Sequence, residues 1–297
     1  MATHVTTEET IPELYIDRIA SNGATRSTTN GRSADAHPAP ARKRAAGRQA
    51  ARRSTVSLVV PAKNEARNIA TVLEHLPDCV DEVILVDGRS SDVTRLMAES
   101  CLPDIRIISE SHPGKGNALR AGFAAAQCDV IVAMDADGSM SPAEIPQFVY
   151  FLDHGFDFVK GSRFVGGGGS LDITPLRKLG NRGLLMLANR FFDSQLTDLC
   201  YGFFAFRRRY LGHLGLSSEG FEIETELTVR ALTSGLRVAE VPSLEMPRRS
   251  GQSSLRAFHD GLRVLRTLLD ERAKAPSKSP MELVRPVPSG PTDLPLL

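Results

Sequence analysis

Long apolar runs are missing from this chain. In 297 residues none exceeds about five, as at 148–152 and 184–188, well short of the roughly 18–20 needed to cross a bilayer. No charged-then-apolar leader opens the sequence. Cysteine is scarce, and Cys79, Cys101, Cys128 and Cys200 form no C-x-x-C pair. A disulfide framework and a cysteine-based zinc site are thereby excluded, and the thiols read as those of a cytoplasmic protein. There is no Trp, only four Tyr, and no charge of one sign in excess, with 36 basic against 35 acidic side chains. A nucleic-acid binder would need a basic, aromatic-interleaved surface, so that class falls away.

Apolar residues nevertheless make up 41% of the chain, enough for one sizeable core. They are sparse before Ser54, where Ala, Ser, Thr, Arg and Gly dominate apart from a short patch at 11–19. Such a segment cannot offset its ordering entropy, so 1–54 is expected to be a disordered basic tail. It ends in ARKRAAGRQAARRS, whose six Lys or Arg suit either a solvated tail or a tether to anionic lipid. The Pro-rich stretch 273–297 is expected to be a second loose tail. Between them, 55–272 reads as one domain. VSLVV (56–60), EVILVD (82–87), IRIIS (105–109), DVIVAMD (129–135) and DFVKG (157–161) suit strands buried on both faces of a parallel sheet. Helical periodicity covers 66–76, 92–100, 115–126 and 142–152, the last with Ser141 as N-cap before Pro142. Further on, helices are predicted at 176–192 and 222–234 and strands at 203–207 and 237–241. Alternation of this kind predicts an open α/β sheet, Rossmann-like and mostly parallel, with helices on both faces.

Ligands of such sheets bind beyond the carboxyl ends of the strands. Polar clusters follow several strands: Pro61-Ala62-Lys63-Asn64-Glu65, Asp87-Gly88-Arg89-Ser90, Asp135-Ala136-Asp137-Gly138-Ser139 and Gly161-Ser162-Arg163. The pair Asp135 and Asp137 offers hard oxygen ligands suited to Mg2+ or Mn2+ bridging a diphosphate; the bland alternative is a solvated turn. Asp87 can accept from a base N–H or cap the following helix, and Glu65 has the same two readings. Lys115, between Gly114 and Gly116, resembles a phosphate-binding turn. The G-x-x-x-x-G-K-[ST] and G-x-G-x-x-G patterns are absent, which moves nucleoside-triphosphate hydrolysis and nicotinamide chemistry well down.

Taken together, PAKNEARNI, VDGRSSDVT, PGKGNALRAGF, DADGS, KGSRF, TDLCYGFFAFRR and FEIETELTVRA resemble, in this order and spacing, the family 2 glycosyltransferases of GT-A fold. The dolichol- and polyprenyl-phosphate mannosyl- and glucosyltransferases are the branch most resembled, over about residues 55–257. The resemblance implies a metal-dependent, inverting transfer from a UDP- or GDP-linked sugar. It places Pro61, Glu65 and Asp87 at the nucleoside, Lys115 near the sugar nucleotide, Asp135 and Asp137 on metal and diphosphate, and Arg163 and Arg177 at an acceptor phosphate. Three departures stand out: Gly88 replaces a second acid, Ser139 takes the place of a Gln in the metal shell, and a late R-x-x-G-x-S-K pattern reads Arg248-Arg249-Ser250-Gly251-Gln252-Ser253-Ser254. A retaining glucosyl-phosphoglycerate-type enzyme shares some of these elements, but the order of motifs after Gly161 speaks against it.

A phosphate monoester acceptor is already ionised near neutral pH and needs only cations, which Arg163, Arg177, Lys178 and Arg182 supply. A saccharide or natural-product hydroxyl needs a carboxylate base, for which Asp198, Glu224 and Glu226 are candidates, each with a bracing role as the alternative. Residues 255–269 place apolar groups at helical spacing among Arg256, Arg263 and Arg266. Such a helix either packs on its own domain or makes peripheral contact with the inner face of a membrane. From a different class, a non-catalytic sugar-nucleotide-binding protein has no chemical need for the Asp135–Asp137 pair.

Overall fold

Seven of the β-branched and aromatic runs hydrogen-bond into one sheet in the computed structural model, which describes residues 53–251 and 256–275. β1 (Val56–Ala62), β2 (Glu82–Asp87), β3 (Arg106–Ser109) and β4 (Val130–Ala133) lie parallel. β5 (Phe158–Ser162) and β8 (Val238–Pro242) pair in parallel, and β7 (Phe204–Arg207) runs antiparallel between β4 and β5. The spatial order is β3-β2-β1-β4-β7-β5-β8. Two short strands that periodicity does not reveal, β6 (Gly169–Ser170) and β9 (Leu244–Glu245), form a separate parallel ribbon.

Alternate residues of each strand enter opposite cores, as a period of two demands. Leu58, Val60, Val132 and Phe203 pack with α1 (Ile69–Leu73), α2 (Thr94–Cys101) and α4 (Ile145–Asp153). Val59, Ile131, Phe204 and Phe206 pack with α3 (Lys115–Ala125), α6 (Leu211–Leu214) and α7 (Ile223–Thr233). Covering both faces explains why the strands read as nearly unbroken apolar runs. A third cluster joins α5 (Pro175–Phe192), α7 and α8 (Ala257–Lys274) through Ala188, Val229, Val264 and Leu268.

The structure differs from the periodicity in detail. α1 begins at Ile69, and the expected first turn is a hydrogen-bonded turn ahead of it, in which the Glu65 N–H donates to Thr94 Oγ1 (2.9 Å) and the Ala66 N–H to Asp92 Oδ2 (3.2 Å). Ser141 makes no side-chain capping bond, and a 3-10 turn at Pro142–Glu144 precedes α4. Arg53 and Ser54, assigned by composition to the tail, are tied to the body by Arg53–Asp81 (2.7 Å) and by the Ser54 hydroxyl donating to Asp153 (2.6 Å). α8 runs to Lys274, slightly past the expected domain end. Residues 1–52 and 276–297, which hold the rest of the expected tails, lie outside those described.

The G-K-G turn has a structural reason. Gly114 adopts φ +114°, and a Cβ on Gly116 would sit 2.3 Å from the Ser218 carbonyl oxygen. The Gly116 and Asn117 N–H groups donate to the Glu219 carbonyl (2.8 and 3.2 Å), so the start of α3 docks on backbone. Gly116→Ala is expected to cost about 1–3 kcal/mol through overpacking against that immovable partner. The check is a lower denaturant midpoint at unchanged slope.

Candidate active site

A cavity of about 1150 Å3 opens where β1, β2, β4 and β5 end, the edge at which an open α/β sheet binds ligands. The loops after β1 and β2 are knitted together. Asn64 and Arg89 take left-handed φ of 58° and 61°, the Asn64 N–H donates to Ser90 Oγ (2.9 Å), and Asn64 Oδ1 accepts from the Ser91 N–H (2.8 Å). Pro61 and Glu65 line the cavity. Asp87 is buried behind that wall and accepts from the Ser90 N–H (3.3 Å), closing the turn after β2 and not capping the next helix, which begins at Thr94 behind Val93 without a side-chain cap.

Beside these loops stands a charge cluster drawn from three elements. Lys115, the first residue of α3, meets Asp135 Oδ1 at 2.5 Å and Glu224 Oε1 of α7 at 2.6 Å. Burial alone would lower the lysine pKa, but the Asp135 and Glu224 carboxylates override it and hold the group charged, above its ordinary value. Burial pushes Asp135 up to about 6, helped by Asp137 and Glu224 and opposed by Lys115. Gly202 forms the floor: a Cβ there would lie 2.6 Å from both Glu224 Oε1 and Lys115 Nζ. The periodicity of the Phe203–Arg207 run carries no sign of this.

Asp137 turns toward a different cation. Its Oδ1 accepts from the Ser139 N–H (3.0 Å) and hydroxyl (2.7 Å), and its Oδ2 accepts from Arg248 Nη2 (3.0 Å). Arg248 Nη1 donates to Glu65 Oε1 at 2.9 Å, so one guanidinium spans the cavity from the β1 loop to the β4 loop. Ser139 orients Asp137 here. Arg248 escaped the functional reading of the sequence, although it opens the late arginine motif. Among the described residues no three His, Cys, Asp or Glu side chains gather as a self-sufficient metal cage. The donor set instead suits a hard cation held by one or two carboxylates and completed by ligand phosphates. Lys115 and Arg248 supply the counter-charge to those carboxylates in this structure.

The residues assigned by resemblance to the acceptor part company. Arg163 is buried and donates from Nε and Nη2 to Asp198 (2.7 and 3.0 Å), from Nη1 to Glu245 (3.2 Å) and from Nη2 to the Cys200 carbonyl (2.8 Å). All three of its guanidinium nitrogens are thus engaged inside the protein, although Arg163 also borders the cavity. Asp198 is fully buried, accepts also from Asn181 Nδ2 (3.1 Å), and does not line the cavity. Glu226 is absorbed by the Ser217 and Ser218 backbone N–H groups and by Arg230. Arg177 also lines the cavity and, among the described residues, is paired with Asp172 at 3.6 Å. Of the three carboxylates considered as bases, Glu224 alone lines the cavity, and it is paired with Lys115.

Residues 57–215 match the family described as Glycosyl transferase family 2. The chain is 31% identical to "Glycosyltransferase AglJ" of Haloferax volcanii, over 69% of this chain and 68% of that protein. It is 30% identical to the dolichol-phosphate mannosyltransferase of Pyrococcus furiosus over 68% of this chain, and spans 59% of that relative's length. A solved structure of glucosyl-3-phosphoglycerate synthase from Mycobacterium tuberculosis, in complex with Mn2+, UDP and glucosyl-3-phosphoglycerate, matches with a TM-score of 0.59 at 27% identity. That match covers 76% of this chain and 82% of the other.

Proposed function

The chain belongs to glycosyltransferase family 2, and on that premise we propose that it moves a sugar, with inversion, from a UDP- or GDP-linked donor to a polyprenyl or dolichyl phosphate. The observation that carries the acceptor choice is the pairing of the acidic side chains. Asp198 and Glu226 are locked in buried networks and Glu224 is held by Lys115, so none is a ready general base. An ionised phosphate needs none. Arg177, at the cavity wall, is the cation proposed to hold that phosphate. Pro61 and Glu65 are proposed to hold the nucleoside, with Asp87 shaping their wall from behind.

Breaking the anomeric bond leaves negative charge on the departing diphosphate, which groups already in place can stabilise without reorganisation. Asp135 and Asp137 are the residues proposed to hold Mg2+ or Mn2+, which when bound supplies Lewis-acid stabilisation to that diphosphate. Lys115 keeps a fixed positive charge beside them. Ser139 keeps Asp137 turned toward the cavity, and Arg248 must yield at least one carboxylate as donor and cation enter.

A second reading, transfer to the hydroxyl of a small phosphorylated acceptor, is favoured by the likeness to the glucosyl-3-phosphoglycerate synthase and by Glu224 at the wall. One experiment decides between them. UDP- and GDP-sugars are first ranked by thermal shift with Mn2+, where nucleotide at about 100 times Kd adds roughly 2.7 kcal/mol. The binding donor is then offered polyprenyl phosphate or 3-phosphoglycerate. We expect a glycosyl-lipid of inverted anomeric configuration; product on 3-phosphoglycerate alone overturns the lipid reading.

A further inference from the structure

A lysine that the mechanism does not use lies beneath the cavity floor. Lys160, on β5, is fully buried and does not line the cavity. Its Nζ donates to the Tyr201 carbonyl at 2.6 Å, and no carboxylate forms an ion pair with it among the described residues. An ammonium has three donors, and burying it with one of them met is costly. Burial pulls its pKa below the ordinary lysine value, against the influence of Asp198, Glu224 and Glu240. A methionine of similar length would fill the space without that cost, so packing gives no reason for a lysine here.

The carbonyl it holds belongs to a segment that has left the sheet. The β5–β7 ladder ends with Lys160 opposite Phe204. Upstream, Cys200 is fixed by Arg163 Nη2 on its carbonyl (2.8 Å) and by Asn181 Oδ1 on its N–H (3.1 Å). For the Tyr201 carbonyl that task falls to Lys160. A trans peptide sets its N–H opposite its C=O, and no described peptide bond is cis. With the Tyr201 carbonyl turned down onto Lys160, the Gly202 N–H points the other way, toward the cavity that Gly202 lines. It donates to no group among the described residues.

The neighbour of that N–H narrows what it can receive. A Cβ on Gly202 would lie 2.6 Å from Glu224 Oε1, so a donor and a carboxylate acceptor stand side by side on the floor. An ionised phosphate has no proton to give Glu224 and is repelled by it. A hydroxyl accepts and donates at once, and it matches both groups. We propose that Lys160 is a positioning residue for the transferred sugar: by holding the Tyr201 carbonyl it presents the Gly202 N–H to a sugar hydroxyl, which donates in turn to Glu224. This deepens the sugar-nucleotide reading and rests on it.

The full chain with Mg2+ is titrated calorimetrically with UDP, UDP-glucose, GDP and GDP-mannose. For the nucleotide that the parent binds, Lys160→Met is expected to weaken the sugar conjugate about tenfold and the bare nucleotide less than about twofold. Lys160→Gln keeps a donor for the Tyr201 carbonyl without the charge, and is expected to recover most of that loss. Equal losses on both ligands, or none, overturn the proposal. A Gln variant as weak as the Met variant also overturns it and assigns the role to charge alone. A second measurement leaves Lys160 in place. In the parent labelled with 15N-glycine, the Gly202 amide is the signal that Gly202→Ala removes, and it is expected to shift with the sugar conjugate and not with the bare nucleotide. A signal that responds alike to both overturns the proposal. A parent that binds none of the four ligands overturns the donor reading itself, whereas binding without the sugar-specific difference removes only the role of Lys160.

Discussion

Replacing Asp135 and Asp137 together with asparagine is expected to reduce sugar transfer by about 10²-fold or more while the protein stays folded. The two carboxylates lie on a loop beyond β4, and each faces a cation from another element, Lys115 or Arg248. Asparagine keeps the shape and removes the charge, so the loss falls on cation binding and on stabilisation of the departing diphosphate. Initial rates across a Mn2+ titration check this. The expected signature is a rate that added Mn2+ does not restore, with thermal stability close to the parent's. An undiminished rate in the double variant would remove the proposed mechanism altogether.

The second large effect is on stability. Arg163→Met is expected to cost about 3–5 kcal/mol, since it strands Asp198 and Glu245 as buried carboxylates without their cation. Removing one partner of a buried pair is far worse than removing both. The expected readout is a marked fall in the denaturant midpoint, with nucleotide binding retained at low denaturant. If Arg163 instead held an acceptor phosphate as its main role, the variant would show a raised KM for acceptor and an unchanged midpoint. Those two results are mutually exclusive, so the measurement assigns the residue. Stacked 4.8 Å over the Tyr201 ring and bonded to the Cys200 carbonyl, Arg163 shapes the wall that leads to Gly202 and the charge cluster.

The strands, the loops beyond them and the acidic pair on the fourth were legible from the chain alone. β-branched runs, a proline in a first turn and Asp-Gly clusters are local signals, and each reports the backbone within a few residues of itself. The helix that carries Lys115 and the two helices that rim the cavity were legible for the same reason. β7 was seen as a strand, but its antiparallel course was not, because direction depends on neighbours far away in sequence.

What each polar side chain does was decided by tertiary structure. Arg163 and Asp198 are 35 residues apart, and Arg248 reaches Glu65 across 183. A motif names the types of residue available at a strand end, whereas the partner that a buried charge meets depends on how distant loops fold against one another. Buried charges must be matched almost one for one, so those long-range pairings settled which cations are spent on the protein and which, like Lys178 and Arg182, stay exposed without a carboxylate partner among the described residues.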